Sequence, residues 1–244
     1  MKKENLYGKK LAKYTDVSYS TKNYLRESKF ILQVAKRLKI KGKTIIDVSC
    51  GSGNHSKVFA SSGYLVYGVD LNKDMLVLVR KNLGSKIKLY KQDMRKLNVP
   101  VKADILVCLY NSINYNLSYK ELKTTLIKFY SHLKPGGIVI FDTSFTKSNW
   151  KESHLSNQMY KVDDADVVRI NKSISKENIA TVYITYIIHK GAKKSIIETN
   201  NTVMLFDPKK VLAIMKQIGF KTKLYYDFSL KKTKGKVNIF AGKK

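Results

Sequence analysis

The stretch Thr44-Ile45-Ile46-Asp47-Val48-Ser49-Cys50-Gly51-Ser52-Gly53 decides how the rest of this chain is read. Its first five residues form a short apolar strand, and the chain then runs directly into a glycine loop. A helix over 54–61 follows. Gly63 turns the chain into a second strand over 64–69, which ends at Asp70. A helix over 73–83 stops at Gly84, and strands over 87–90, 103–109 and 138–143 continue the alternation. Between the last two lies a helix over 119–133, with Leu122, Leu126, Phe129 and Leu133 on one face, ended by Pro135-Gly136-Gly137. Continuous apolar strands alternating with helices predict an α/β fold: a doubly wound, mostly parallel sheet covered on both faces.

Outside this core, Phe30, Ile31, Val34, Ala35 and Leu38 predict a helix over 24–39, with Thr21 as its cap and Gly42 beyond its end. After Ser144 the pattern changes. Segments 167–174, 179–188 and 194–205 are rich in β-branched and aromatic residues, and read as an antiparallel β meander inserted into the parallel domain. A helix over 208–218 starts on Pro208. Strands over 221–228 and 237–241 bring the main sheet to seven.

Glycines at a strand–helix junction allow a tight turn and close backbone approach to a ligand. A pyrophosphate fingerprint would place a third Gly or Ala where this chain has Ser56. Asp47 opens the loop with a carboxylate, which repels a pyrophosphate and favours a cation. A loop both glycine-rich and acidic suits S-adenosylmethionine, which carries an ammonium and a sulfonium. The ordinary alternative is a glycine turn with an exposed Asp. Asp70 can accept hydrogen bonds from ribose hydroxyls, or cap the helix over 73–83. Asp93 can accept from the exocyclic amine of adenine, with Met75 and Met94 against the purine, or serve as a turn residue. Three carboxylates at the carboxyl ends of three successive strands stand where open α/β sheets bind ligands.

The 244 residues carry 47 basic and 18 acidic side chains, a net charge of +29, and 43% of them are hydrophobic, enough for a sizeable core. Only five of the basic residues are arginine (Arg26, Arg37, Arg80, Arg95, Arg169). Lysines spread along the chain suit a solvated coat, or attraction of small anionic substrates, better than a dedicated nucleic-acid surface. Two cysteines make no disulfide framework, and no His/Cys/Asp/Glu cluster has metal-ligand spacing, so no metal is expected. No segment can span a bilayer, and the charged start leads into no apolar run. No secretory signal is expected, and a cytoplasmic setting is the default.

The series Asp47–Gly53, Gly68-Val69-Asp70 with Asp74-Met75-Leu76, Gln92-Asp93-Met94-Arg95 and Leu133-Lys134-Pro135-Gly136-Gly137 resembles the class I S-adenosylmethionine-dependent methyltransferases, with their Rossmann-like fold. Cys50, His55, Asp93-Met94-Arg95, the stretch Cys108–Tyr115 and the antiparallel insert are similar to the amino-sugar N-methyltransferases acting on dTDP-linked deoxysugars. The resemblance implies that Asp47, Gly51 and Gly53 hold the methionine end of the donor, and that Cys50, His55 and Leu71 also belong to the cofactor site; a first-turn surface residue is the plain alternative for His55. It places Asp70 at the ribose, Met75, Asp93 and Met94 at the adenine, and Leu109 and Asn111 beside the methionine portion. Tyr19 and Tyr24 match aromatic positions of an amino-terminal lid, with Tyr19 reaching the acceptor amine. His132 falls where that group carries a histidine suspected of touching the acceptor; a helix C-terminal histidine interacting with the dipole is the plain alternative. After the fifth strand, Asp142-Thr143-Ser144-Phe145 departs from the group's usual acidic residue and tryptophans.

The implied organisation is a lid and helix over 1–40, a donor-binding domain over 41–145 and 206–244, and an insert over 146–205. The insert roofs the acceptor, forms a homodimer contact, or both. The implied activity is methyl transfer to an amine of a small molecule, such as an anionic nucleotide-linked amino sugar, leaving S-adenosylhomocysteine. Tyr19 and His132 would position the amine or take its proton. Lys172, Lys193, Lys194 and Arg169 of the insert could meet a diphosphate, or simply be solvated. Three rivals stay open: another small acceptor (amino acid, amine or hydroxyl), RNA, and a donor-binding regulator without turnover.

Overall fold

The computed structural model describes residues 7–8, 11–19, 22–231, 233 and 235–244. The main sheet contains β1 (Thr44–Val48), β2 (Leu65–Asp70), β3 (Ile87–Lys91), β4 (Ala103–Cys108), β5 (Leu133–Thr143), β10 (Lys221–Tyr226) and β11 (Asn238–Lys243). Their order is β10-β11-β5-β4-β1-β2-β3. Pairings among β1 to β5 are parallel, and β11 runs antiparallel to both its neighbours. The chain reverses its direction of travel across the sheet between β1 and β4, so a crevice opens at their carboxyl ends.

Alternation along the strands sends apolar side chains to both faces. Ile46, Val48, Leu106 and Cys108 pack with Leu122, Leu126 and Phe129 of α5 (Tyr119–Ser131) and with Val211 and Met215 of α6 (Pro208–Ile218). Ile45, Ile105 and Val107 pack with α2 (Tyr24–Arg37), α3 (Asn54–Ser61) and α4 (Lys73–Leu83) through Phe30, Phe59 and Val79. Phe59 and Phe129 are fully buried on opposite faces. Truncating either to Ala would cost about 3–5 kcal/mol.

The insert is a separate antiparallel sheet of four strands, one more than its β-branched segments suggest: β6 (Leu155–Val162), β7 (Ala165–Lys176), β8 (Ile179–Lys190) and β9 (Lys193–Met204). Leu155-Ser156-Asn157-Gln158-Met159 lacks β-branched residues, so β6 is held as an edge by its pairing with β7 rather than by propensity. A short helix α1 (Ala12–Ser18), without a sequence signal, lies on this sheet. Leu11 and Tyr14 pack there with Val167, Ile184 and Tyr186.

The cap of α2 is Asn23, which accepts from the Arg26 N–H; Thr21 lies outside the described residues. The Pro135-Gly136-Gly137 segment is not a turn before the fifth strand but part of it. Strand β5 starts at Leu133, and its pairing with β4 shifts register between Ala103 and Ile105. A Cβ on Gly137 would lie 3.0–3.2 Å from the carbonyl oxygens of Lys134, Ala103 and Asp104, so this close approach requires glycine. No described helix is long and apolar enough to cross a membrane.

Candidate functional site: two cavities meeting at a tyrosine wall

Two cavities open above the carboxyl ends of β1 and β4. The first, about 360 Å³, is lined by the glycine loop, the ends of β2 and β3, and α1. The second, about 550 Å³, lies between the β4 and β5 exits and the inner face of the four-stranded sheet. Tyr7, Tyr19, Tyr110, Tyr115 and Asn201 line both. The Tyr7 and Tyr115 hydroxyls are 2.7 Å apart, and the Tyr19 and Tyr110 rings meet edge-on at 4.9 Å. Burial holds the hydroxyls of Tyr7, Tyr110 and Tyr115 well above the ordinary tyrosine value. They stay protonated and can orient a ligand, but they supply no tyrosinate base.

The cavities differ in charge. The first is lined by four carboxylates (Asp16, Asp47, Asp70, Asp93) and by no lysine among the described residues. Its two basic groups are already engaged. Arg95 grips both oxygens of Asp93 and reaches Glu121 at 3.1 Å, while His55 meets Glu27 at 2.8 Å. The second is lined by Lys151, Arg169, Lys236 and His154, with no carboxylate among the described residues. In a chain of net charge +29, an acidic pocket is a local choice of residues. It suits a cation, as the basic pocket suits an anion.

In the first cavity, Asp47 at the end of β1 is buried, and burial pushes its carboxyl up to about 6. The Ser56 hydroxyl donates to it at 2.6 Å, which explains a serine where a pyrophosphate loop carries Gly or Ala. Asp70 accepts from the backbone N–H groups of Gly51 and Asn72, each at 2.8 Å. Helix α4 is capped instead by Asn72. Both Asp70 oxygens retain lone pairs for a pair of hydroxyls. Leu71, Met75 and Met94 give the far end an apolar wall. Asp16 accepts from the Ser52 hydroxyl and, at 3.3 Å, from the Asn54 amide, so α1 is tied to the glycine loop. Tyr24 rests edge-on against His55 at 4.9 Å.

Among the expected donor-site residues, Tyr24, Asp47, Cys50, Gly51, His55, Asp70, Leu71, Met75, Asp93, Met94 and Leu109 line this first cavity. Three residues expected at the site lie away from the first cavity. Gly53 lines neither cavity; it caps α3 at φ +86°, and a Cβ there would press on Val79 and Leu83 at 3.1–3.2 Å. Asn111 lines the second cavity, where its side-chain oxygen accepts from Ser144 N–H and Oγ–H. His132 lines neither. It caps the C-terminus of α5, its Nδ1 2.8 Å from the Lys128 carbonyl oxygen, just before β5 begins and thus at the opposite end of the sheet. The histidine of the second cavity is His154. Tyr19 stands in the shared wall. Residues not singled out beforehand are Asp16, Tyr7, Tyr110, Tyr115, Asn201 and Trp150. Tyr110 and Tyr115 lie inside the conspicuous stretch after β4, whereas Asp16 and Asn201 had no signal because only tertiary packing brings them here.

Arg169 is 7% exposed. Its Nη1 is 3.4 Å from the Gln158 side-chain oxygen and its Nη2 3.5 Å from the Tyr19 hydroxyl, both long contacts. Its Nε is buried without a partner, and no carboxylate of the described residues pairs with it. The guanidinium lies 5.5 Å from the Tyr19 ring centre and 5.8 Å from that of Tyr186. Such ring contacts contribute about 0.5–2 kcal/mol each. Removing a guanidinium from water costs several kcal/mol, so the rings offset this only in part.

Comparison with known proteins agrees with this architecture. Residues 45–137 match the family described as a methyltransferase domain. The chain is 25% identical over 172 residues to the dTDP-3-amino-3,4,6-trideoxy-alpha-D-glucopyranose N,N-dimethyltransferase of Streptomyces venezuelae, covering 70% of this chain and 72% of that one. The sugar N-methyltransferase KedS8 from Streptoalloteichus superimposes with a TM-score of 0.87 at 19% identity, over 100% of this chain and 98% of that one. The S-adenosylmethionine-bound amino pentose methyltransferase CalS10 of Micromonospora echinaspora gives 0.78 at 19% identity, over 99% of both chains. The domain match and the curated relatives, with the class I, Rossmann-like fold, define an S-adenosylmethionine-dependent methyltransferase. Within that class, the chain resembles the dTDP-amino-sugar N-methyltransferases.

The first cavity fits the donor by its own chemistry. It offers carboxylates for a cation, free lone pairs on Asp70 for a diol, and an apolar wall for a purine. Among the described residues, no group of His, Cys, Asp and Glu is arranged to hold a metal.

Proposed function

We propose that this enzyme methylates the amine of a small anionic acceptor, a nucleotide-linked amino sugar. The observation that carries this reading is the charge contrast between two adjoining cavities, acidic for the donor and basic for the acceptor. The names of the relatives point the same way. S-adenosylmethionine, when bound, supplies a methyl group already activated on a sulfonium. In this reading Asp47, His55 and the Cys50–Gly51 backbone hold its methionine end. Asp70 and Leu71 hold the ribose, and Met75, Asp93 and Met94 the adenine. Asp93 reads the base while Arg95 keeps its carboxyl below the usual range and therefore ionised.

The residues of the second cavity align and desolvate the amine. Tyr19 stands between the cavities, with Tyr7, Tyr110 and Tyr115 excluding water around it. Alignment of nucleophile and methyl in a dry pocket is most of what such a displacement needs from a protein. The amine enters neutral, and its proton passes to His154 or to water. Residues 41–145 and 206–244 then form the donor domain, 146–205 the acceptor roof, and 1–40 a lid tied down through Asp16. A homodimer through the outer face of the four-stranded sheet, where Met159, Val168, Ile187 and Ile196 fall in one row, belongs to the same proposal, as does a cytoplasmic setting.

Labelled methyl transfer from S-adenosylmethionine to a panel of dTDP-linked amino sugars, amino acids and RNA tests the reading. Transfer to an amino sugar at the highest kcat/KM supports it; preference for RNA or for a free amino acid replaces it.

A further inference from the structure

We propose that Arg169 is a specificity-determining residue that anchors an oxyanion of the methyl acceptor close to the reacting amine. The inference rests on the second cavity being the acceptor site. Strand β7 presents Arg169, Asn171 and Ser173 on one face, since alternate residues of a strand point the same way. That face lines the second cavity. Two of these side chains hold buried polar atoms without partners: Arg169 Nε and Asn171 Oδ1. One is a charged donor and the other an acceptor, two positions and roughly 6.6–6.8 Å apart along the strand. Asn171 uses its Nδ2 on the Ser156 hydroxyl at 3.2 Å, which orients its oxygen, and Ser173 is engaged with the Lys151 carbonyl oxygen at 3.0 Å.

A ligand that satisfies both atoms is complementary to them. It brings a phosphate or carboxylate oxygen to the guanidinium, and a hydroxyl or amine hydrogen to Asn171. Nη2 of Arg169 lies 3.5 Å from the hydroxyl of Tyr19, which stands in the wall between the cavities. The anchored oxyanion consequently sits near the methyl-transfer junction, deeper than Lys151, Lys236 and His154. In a nucleotide-linked amino sugar this group is the diphosphate; in an amino acid it is the carboxylate. A guanidinium serving only to fill the space between Tyr19 and Tyr186 would bind no anion.

The full chain, saturated with S-adenosylhomocysteine, is titrated calorimetrically with thymidine 5′-diphosphate, sarcosine, and neutral thymidine. Wild type, Arg169→Gln and Arg169→Lys are compared. The expected result is that one oxyanion ligand loses at least about tenfold in affinity in Arg169→Gln. Thymidine is then unaffected, and S-adenosylhomocysteine affinity stays within about twofold of wild type. Arg169→Lys should be intermediate, because it keeps the charge but not the planar fork. Should Arg169→Gln fail to fold, the Lys variant decides: weaker oxyanion binding supports the anchor, and unchanged binding overturns it. Unchanged oxyanion affinity in Arg169→Gln, or no oxyanion binding to wild type, also overturns it. If sarcosine rather than the nucleotide shows the Arg169 dependence, the anchor stands and the nucleotide-sugar reading falls. If the nucleotide binds wild type and Arg169→Gln alike and sarcosine shows no Arg169 dependence either, the anchor falls and the nucleotide-sugar reading stands.

Discussion

The backbone N–H of Gly51 donates to a carboxylate oxygen of Asp70 at 2.8 Å. The same carboxylate that closes β2 thus fixes the glycine loop that follows β1, and its other oxygen accepts from Asn72 at the start of α4. One side chain ties the glycine loop to the end of β2 and the start of α4. In Asp70→Asn an amide NH₂ must face one of those two N–H donors. Affinity for S-adenosylhomocysteine should fall at least about tenfold, and the melting temperature by roughly 2–10 °C. Calorimetry and a thermal melt measure both; unchanged affinity would remove Asp70 from the site.

Asp47 makes donor binding depend on pH. Burial raises its carboxyl to about 6 in the ligand-free fold. A folded-state value above the unfolded one favours the protonated form. Its contribution to stability is therefore full below about pH 4 and is lost as pH rises through about 6. A cationic donor needs the ionised form, so affinity should be full above pH 6 and fall by up to about tenfold per unit below it. Asp47→Asn should bind weakly at every pH, with little slope, and should be no less stable than wild type at pH 7.5. Wild-type affinity that is flat from pH 5 to 8 would contradict this role.

Asp142 holds the exit of β4. It accepts from the Tyr110 N–H at 2.6 Å and from the Asn111 N–H at 3.3 Å, and both residues lie at positive φ, +62° and +60°. A tyrosine in that region is strained, and persists because a buried carboxylate collects the two donors. Asp142→Asn should cost about 1–3 kcal/mol of stability. It should also lower kcat more than donor affinity, because Tyr110 belongs to the shared wall. Denaturant melts and steady-state kinetics check the two effects.

Tyr19 and His132 should separate cleanly. Tyr19→Phe removes a hydroxyl from the shared wall and should raise the acceptor KM several-fold with S-adenosylhomocysteine affinity unchanged. His132→Asn should keep kcat and both KM values within about twofold, losing at most about 1 kcal/mol of stability from the end of α5. A large kcat loss in His132→Asn would restore it to the reaction.

The row Met159, Val168, Ile187 and Ile196 crosses all four strands of the insert, with Met159 80% and Ile196 55% exposed. Sedimentation should show a dimer for the wild type and a monomer for a Met159→Lys/Ile196→Lys variant that still binds S-adenosylhomocysteine. A monomeric wild type would end the dimer proposal.

The rim of the first cavity was legible because its signals are local. Asp47, Gly51, Asp70 and Met75 sit at strand ends and in the adjoining turns, where apolar runs mark the strand and glycine marks its exit. A wound parallel sheet necessarily brings such ends to one rim. The edge strand β6 was illegible, because pairing with β7 rather than composition makes it a strand. His132 misled because its neighbourhood in sequence resembles an acceptor-side position, whereas the α5–β5 connection returns it to the far rim.

From the order of residues alone followed the alternating α/β architecture and an acidic, glycine-lined seat for a cationic nucleoside. Both depend on periodicity and on residues within a few positions of one another. Which side chains meet across the second cavity was decided only by tertiary packing. Tyr7, Tyr19, Tyr115 and Asn201 reach one wall from separate parts of the chain, and Arg169 turns inward because β7 alternates beneath them. Charge in the sequence could count arginines, but the burial of the Arg169 Nε without a partner exists only once the two sheets and α1 have closed around it.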